Sequence, residues 1–177
     1  MRDMTNKFKT FTIFVGCLLF RLLPLRAPNV EPIMASIMPI GRKNGAIQGF
    51  LFGFLSIIIY DSFTNLGSWT WITAFTYGFV GLVSFFYFNK FKTSIFHFAI
   101  FSFFATIFYD IVTGVLFAPF FGQNMVNALF MQIPFTLLHL LGNIGFAVTL
   151  SPLINKWLLT EDSLLVKNSS SLVEVKI

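Results

Sequence analysis

The topology of this chain depends on the stretch RAPNVEPIMASIMPIGRKNG, residues 26–45. It places two arginines, a lysine, two asparagines, a glutamate and three prolines around one short apolar run. Such a concentration of polar residues contrasts with a chain that is otherwise rich in Phe, Leu and Ile. Its meaning depends on which solvent surrounds the protein.

The composition is that of an integral membrane protein. Of the 177 residues, 56% are hydrophobic and only 11% are charged, and the mean hydropathy is +0.80. A soluble domain carries about 25% charged residues, so this chain cannot cover a water-facing surface. The net charge of +5 is better explained by basic loops on the cytoplasmic side than by nucleic-acid binding, because the basic residues do not cluster on one amphipathic helix. The single cysteine, Cys17, has no partner for an intrachain disulfide and fits no metal-ligand spacing.

Six apolar segments are candidates for membrane-spanning helices, each of which needs about 20 residues. They cover residues 8–25, 28–40, 45–63, 70–88, 93–117 and 124–150, and an extension of the last one past Pro152 to residue 159 stays open. The apolar part of the second segment would rise only about 16 Å as a helix, so it either spans the membrane or re-enters it.

The basic residues decide between these two topologies. If the second segment spans, ten of the twelve lysines and arginines fall on one side, and only Arg21 and Arg26 fall towards the other. Because cytoplasmic loops carry the excess of Lys and Arg, this arrangement is preferred. We therefore predict an all-α integral membrane protein, a compact bundle of six transmembrane helices with both termini in the cytoplasm. GRKNG, residues 41–45, is then a cytoplasmic turn.

The sequence also predicts the domain bounds and one close helix contact. We expect a transmembrane domain over residues 1–159 and a polar cytoplasmic tail over 160–177. Gly45, Gly49 and Gly53 recur every four residues, which is typical of a surface on which another helix packs closely. That helix belongs either to this chain or to a partner.

Polar residues are concentrated at the predicted outer ends of the helices. At 1.5 Å per residue, Arg21, Asp61 and Asp110 lie about 20–26 Å from the inner ends of their helices, whereas His139 lies deeper. The candidate ligand-contact residues at this outer level are Arg21, Asn29, Glu31, Asp61, Trp69, Trp71, Asp110, Asn124 and Gln132.

Polar side chains in hydrocarbon are costly and normally face a bundle interior or a wet cavity. The favoured hypothesis is thus a ligand pocket open to the outside, with Arg21 pointing inward, in reach of Asp61, Asp110 or Glu31. A ligand-free scaffold, in which an Arg–Asp pair only joins helices, is an alternative. Another is an intramembrane aspartyl-type hydrolase using Asp61 and Asp110, although the G-x-G-D motif of those enzymes is missing. Nucleotide-binding, metalloprotease and serine-hydrolase motifs are also missing, so neither catalytic residues nor a metal or cofactor are predicted.

Four stretches of the sequence carry a resemblance to a known family. They are RLLPLRAPNVEPIMASIMPIGRKNGAIQGFLFGFLSIIIYD (21–61), GSWTWITAFTYGFVGLV (67–83), FYDIVTGVLF (108–117) and QIPFTLLHLLGNIGFAVTLSPLI (132–154). The overall pattern resembles the substrate-binding S component of an energy-coupling factor (ECF) transporter.

This resemblance implies a six-helix bundle in the prokaryotic cytoplasmic membrane that captures a vitamin or related micronutrient at its outer face. It also implies partners, namely a membrane T component and two cytoplasmic ATPases. The family often shows an Ala-x-x-x-Ala contact motif on the first helix, where this chain offers only Thr12 and Gly16. Thr12, Gly16, Gly49 and Gly53 are the candidate partner contacts, and the identity of the substrate stays open.

Overall fold

A computed structural model describes residues 2–24 and 30–174, with side-chain surroundings for 4–24 and 30–160. The described chain is helical and contains no β-strand. Its helices are α1 (Arg2–Arg21), α2 (Ile33–Asn44), α3 (Ala46–Thr64), α4 (Ser68–Lys90), α5 (Ile95–Asp110) and α6 (Met125–Glu174). A π-helix (Ile111–Leu116) and a 3-10 helix (Ala118–Phe121) join α5 to α6.

Four of these helical segments are long and apolar enough to cross a membrane. They are Ala46–Thr64, Ser68–Lys90, Ile95–Leu116 and Met125–Thr160. The prediction of a multi-pass, all-helical membrane protein is therefore confirmed. α2, with 12 residues, is only about 18 Å long. α1 has enough residues, but its charged side chains lower its hydropathy.

The short helix α2 lies at the centre of the bundle. Every residue from 31 to 41 is buried, and α2 packs on α3, α4 and α6. A helix that is apolar and buried on all sides faces protein rather than lipid, so it does not have to match the thickness of the bilayer. This explains why a short, proline-containing segment is stable here.

The bounds of α2 differ from the prediction. Residues 41–44, which were expected in a turn, form its last helical turn, and the reversal is confined to Gly45, where φ is +106°. Arg42 and Lys43 thereby lie at the helix C-terminus, where positive charge is favourable. Glycine adopts a positive φ without steric cost, so it can end α2 and begin α3 at one residue.

The other helix ends also depart from the sequence-based bounds. α5 does not continue as a regular helix to residue 117, because a π-helix begins after Asp110. α6 continues without interruption through Pro152 and past residue 160. The expected division between domain and tail at this point stays a prediction.

Hydrogen bonds gather basic segments at one end of the bundle, which we call the basic end. Lys9 donates to the Trp157 carbonyl at 3.0 Å, and Arg42 donates to Thr93 at 3.0 Å and to Asn155 at 3.2 Å. Asn44 likewise bonds Thr10 at 2.8 Å. The start of α5 and the segments of α1, α2 and α6 that carry Lys and Arg thus meet, as expected if these residues share one side of a membrane.

The regularly spaced glycines of α3 pack against another helix of the same chain. Gly49 and Gly53 of α3 lie against the backbone of α4 at Gly81 and Tyr77. A Cβ atom built on Gly53 would lie 2.5 Å from the Tyr77 carbonyl oxygen, so the two helices approach at a distance that only glycine permits. The predicted close contact is present, and its partner is a helix of the same chain.

Candidate functional site

A cavity of about 380 Å³ lies at the opposite end of the bundle, which we call the cavity end. Its rim is exposed at Thr64, Asn65 and Trp69, whereas its floor is formed by buried side chains such as Tyr77 and Thr113. α1, α3, α4, α5, the π-helix and α6 all contribute to the wall. The lining residues are Arg21, Glu31, Ile57, Asp61, Thr64, Asn65, Trp69, Thr73, Tyr77, Tyr109, Thr113, Gly114, Gln132, Phe135 and His139.

A buried ion pair forms one wall. The Arg21 Nε atom lies 2.9 Å from Oε2 of Glu31, and the Tyr77 hydroxyl donates to Oε1 of Glu31 at 2.7 Å. The Arg21 guanidinium also donates to the Ser56 carbonyl at 3.2 Å and lies 3.9 Å above the ring of Tyr60. Arg21 therefore points inward, as the sequence predicts, and Glu31 is its charge partner.

The carboxylate of Asp61 faces the cavity on another wall. One oxygen accepts a hydrogen bond from the Thr70 hydroxyl at 2.7 Å, and that hydroxyl in turn accepts from the Gly67 N–H at 3.1 Å. Within the described residues no lysine or arginine pairs with Asp61. Its charge is held in place by Thr70 but is not neutralised there.

Asp110 and His139 form a pair behind the cavity surface. His139 Nδ1 lies 2.8 Å from Oδ1 of Asp110, and the two residues are only 2% and 1% exposed. His139 lines the cavity, whereas Asp110 does not. The rings of Tyr109 and Phe135 lie 5.6 Å and 6.0 Å from the imidazole. Asp110 thus contacts His139 and not the cavity itself.

The sequence contains two Y-D-x-x-T motifs, at residues 60–64 and 109–113, whose Tyr and Asp side chains are used in opposite ways. In the first, Asp61 lines the cavity and Tyr60 supports Arg21 from outside it. In the second, Tyr109 lines the cavity and Asp110 lies behind it. The π-helix that begins after Asp110 distinguishes the second motif from the first.

Several candidate residues meet at the cavity and others do not. Arg21, Glu31, Asp61, Trp69 and Gln132 line it. Trp71 is 50% exposed and instead packs against Phe54 on the outer surface, and Asn124 accepts hydrogen bonds from the first N–H groups of α6. Asn29 lies outside the described residues. The lining tyrosines and threonines were missed, although Tyr77 and Thr73 are one helical turn apart and Thr70 precedes them on the same face.

The candidate partner contacts divide into two groups. Thr12 and Gly16 are exposed on α1, and no other helix of the described chain lies within 4 Å of the Cβ position of Gly16. Gly49 and Gly53 are buried against α4, so they do not form an exposed surface in this structure.

A polar seam continues from His139 towards the middle of the bundle, between α5 and α6. The Asn143 amide donates to the Thr106 hydroxyl at 2.9 Å, and Thr106 donates to the Ser102 carbonyl at 2.7 Å. All three residues are fully buried, and the Ser102 hydroxyl oxygen has no hydrogen-bond partner among the described residues. This seam joins the two helices that carry the Asp110–His139 pair.

The seam gives a matched pair of variants. Thr106→Val keeps the shape but removes the acceptor for Asn143, and we expect it to lower the free energy of unfolding by about 2 kcal/mol. Ser102→Ala removes a hydroxyl without a partner, so stability is expected to stay equal or to rise slightly. Thermal unfolding of detergent-purified protein measures both, and an equal loss in the two variants would contradict the assigned hydrogen bonds.

Comparisons with known proteins do not assign the chain to a family. No protein-family model matches it, no curated protein matches it, and no solved structure matches it.

Proposed function

We propose that this protein is the substrate-binding membrane subunit of an ECF-type importer, which captures a vitamin or related micronutrient in the cavity. The cavity carries the proposal, because polar side chains from six helical segments converge there at the end of a membrane bundle. A volume of about 380 Å³ lies in the range of small-molecule sites, which are roughly 300–1,000 Å³.

The orientation in the membrane follows from the charge distribution. The basic end is proposed to face the cytoplasm, which places the cavity end outside and both termini inside. On this proposal all six helices cross the membrane, with α2 as a short buried span, in the cytoplasmic membrane of a prokaryote. A ligand would enter from outside past the exposed rim at Thr64, Asn65 and Trp69.

Uptake would need partners, because the chain has no nucleotide-binding motif. We propose a membrane T component and two cytoplasmic ATPases, as the family resemblance implies. The exposed face of α1 at Thr12 and Gly16 is the proposed contact, since small side chains let another helix approach closely.

The geometry favours ligand capture over the two alternatives. An aspartyl-type hydrolase requires its two carboxylates to act on one substrate, but Asp61 bonds Thr70 whereas Asp110 bonds His139 and does not line the cavity. A ligand-free scaffold predicts a sealed outer face. Arg21 is paired as that hypothesis requires, yet the cavity beside it is open.

Binding to purified protein tests the proposal. Native mass spectrometry and scintillation binding in detergent, screened over vitamins and nucleobase-like compounds, are expected to give a ligand with a dissociation constant below the micromolar range. Gln132→Ala, in the cavity wall, is expected to weaken that ligand about tenfold, the effect of one lost polar contact of about 1.4 kcal/mol.

Gln48→Ala is the matched control, because Gln48 is exposed near the basic end and lies outside the cavity. A screen in which no compound binds, or a ligand equally weakened by both glutamine variants, would count against ligand capture in this cavity.

A further inference from the structure

The charges of the cavity wall indicate which ligands it can take. Among the described lining residues, two carboxylates, Glu31 and Asp61, are opposed by one guanidinium, Arg21. Glu31 is 2.9 Å from Arg21 and accepts from Tyr77, so these two charges satisfy one another. The carboxylate of Asp61 is then left in excess.

Arg21 is also poorly placed to receive an anionic ligand. Its guanidinium is engaged by Glu31, by the Ser56 carbonyl and by the face of Tyr60, all within the protein. An anion that took the place of Glu31 would leave a buried carboxylate unpaired at a cost of several kcal/mol. A ligand without negative charge avoids this cost.

The Asp110–His139 pair does not make the net charge of the cavity wall positive. If His139 is protonated the pair is neutral in total, and if it is neutral Asp110 adds a second negative charge behind the wall. The basic end, with Lys9 and Arg42, lies at the opposite end of the bundle from the cavity. The charge of Asp61, which no described lysine or arginine neutralises, is therefore available to attract a bound cation.

The remaining wall is aromatic. Trp69, Tyr77, Tyr109 and Phe135 line the cavity, and the rings of Tyr77 and Tyr109 pack with centroids 4.5 Å apart. Aromatic faces attract a desolvated cation and offer flat surfaces for a planar ring. The described wall thus combines a net negative charge with several aromatic rings.

We propose that the ligand is a small, flat, unsaturated heterocycle that carries a positive charge, which it places at Asp61. This inference rests on the proposed function, whose ligand class it specifies. It assigns Asp61 as the residue that selects for charge and the aromatic wall as the surface that holds the ring.

Probes that share one ring but differ in charge test this proposal on the unmodified protein. The triple of 1-methylnicotinamide, nicotinamide and nicotinate presents one ring with charge +1, 0 and −1, and it is added to the screen described above. We expect the tightest binder of the whole screen to be a cation, and within the triple the cation to bind at least tenfold more tightly than the anion. A neutral or anionic tightest binder would overturn the inference while ligand capture stands, whereas a screen without any binder would refute ligand capture itself.

Variants of Asp61 test whether this residue selects for a positively charged ligand. Asp61→Asn keeps the size and removes the charge, so it is expected to weaken the tightest cationic binder at least tenfold, whereas Asp61→Glu retains most of the affinity. Ser62→Ala is the control, because Ser62 is exposed and donates to the Ile58 carbonyl of its own helix. Unchanged affinity in Asp61→Asn would place the cation elsewhere and overturn the assignment.

Discussion

Replacing Gly49 by leucine is expected to destroy the packing of α3 on α4 and to prevent recovery of monodisperse protein. The Cβ position of Gly49 is occupied by backbone of Gly81 and lies 3.0 Å from the Cα atom of Gly41. Backbone atoms cannot rotate away as a side chain can, so the helices must separate. We expect a loss of about 3 kcal/mol or more, at the upper end of overpacking effects.

Gly145→Leu is the matched control for this experiment. Gly145 is an exposed glycine of α6, and within the described residues no neighbouring helix lies within 4 Å of its Cβ position. Fluorescence-detected size-exclusion chromatography after heating compares the two variants. Equal apparent melting temperatures for Gly49→Leu and Gly145→Leu would show that α3 and α4 do not pack through their glycines.

Removing Arg21 is expected to have the second large effect. Arg21→Met keeps much of the bulk but leaves Glu31 as an unpaired, buried carboxylate, and breaking a buried pair in this way costs about 3 kcal/mol or more. Glu31→Gln leaves the guanidinium without its charge partner and should also be destabilising. The double variant removes both charges, so it is expected to be more stable than the sum of the single losses predicts.

A double-mutant cycle on unfolding in detergent measures this coupling, which should exceed about 1 kcal/mol for charges in direct contact. Additive losses would mean that the two side chains do not interact in the folded protein. Ligand affinity in the same variants separates the roles of Arg21. If stability is unchanged and affinity alone falls, Arg21 contacts ligand instead of supporting Glu31.

Much of the fold could be predicted from local features of the chain. The apolar segments predict the helices, because each helix satisfies its own backbone hydrogen bonds in lipid. The spacing of Gly49 and Gly53 predicts a close helix contact, because residues four apart share one face. The positions of Lys9 and Arg42 predict that their segments meet at one end of the bundle.

The turn predicted at residues 41–45 is present only at Gly45, and residues 41–44 are helical for a reason that local signals do not show. The polar residues of this stretch suggested a loop. Arg42 donates hydrogen bonds to Thr93 and Asn155 on two other segments, so tertiary contacts hold its helical turn in place. The same holds for α2 as a whole. Its length left a span and a re-entrant segment open, and only the surrounding helices make a short buried helix stable.

The sequence by itself determined that this is a helical membrane protein, that the segments carrying Lys9 and Arg42 meet at one end, and that Arg21 points into the bundle. Only the tertiary structure decided that Arg21 meets Glu31 rather than an aspartate, that Asp61 faces the cavity, and that Asp110 lies behind His139. The helical period fixes where a side chain points on its own helix. The rotation of each helix relative to its neighbours is set by packing between residues distant in sequence, such as Gly53 against Tyr77, and this rotation determines which polar groups meet.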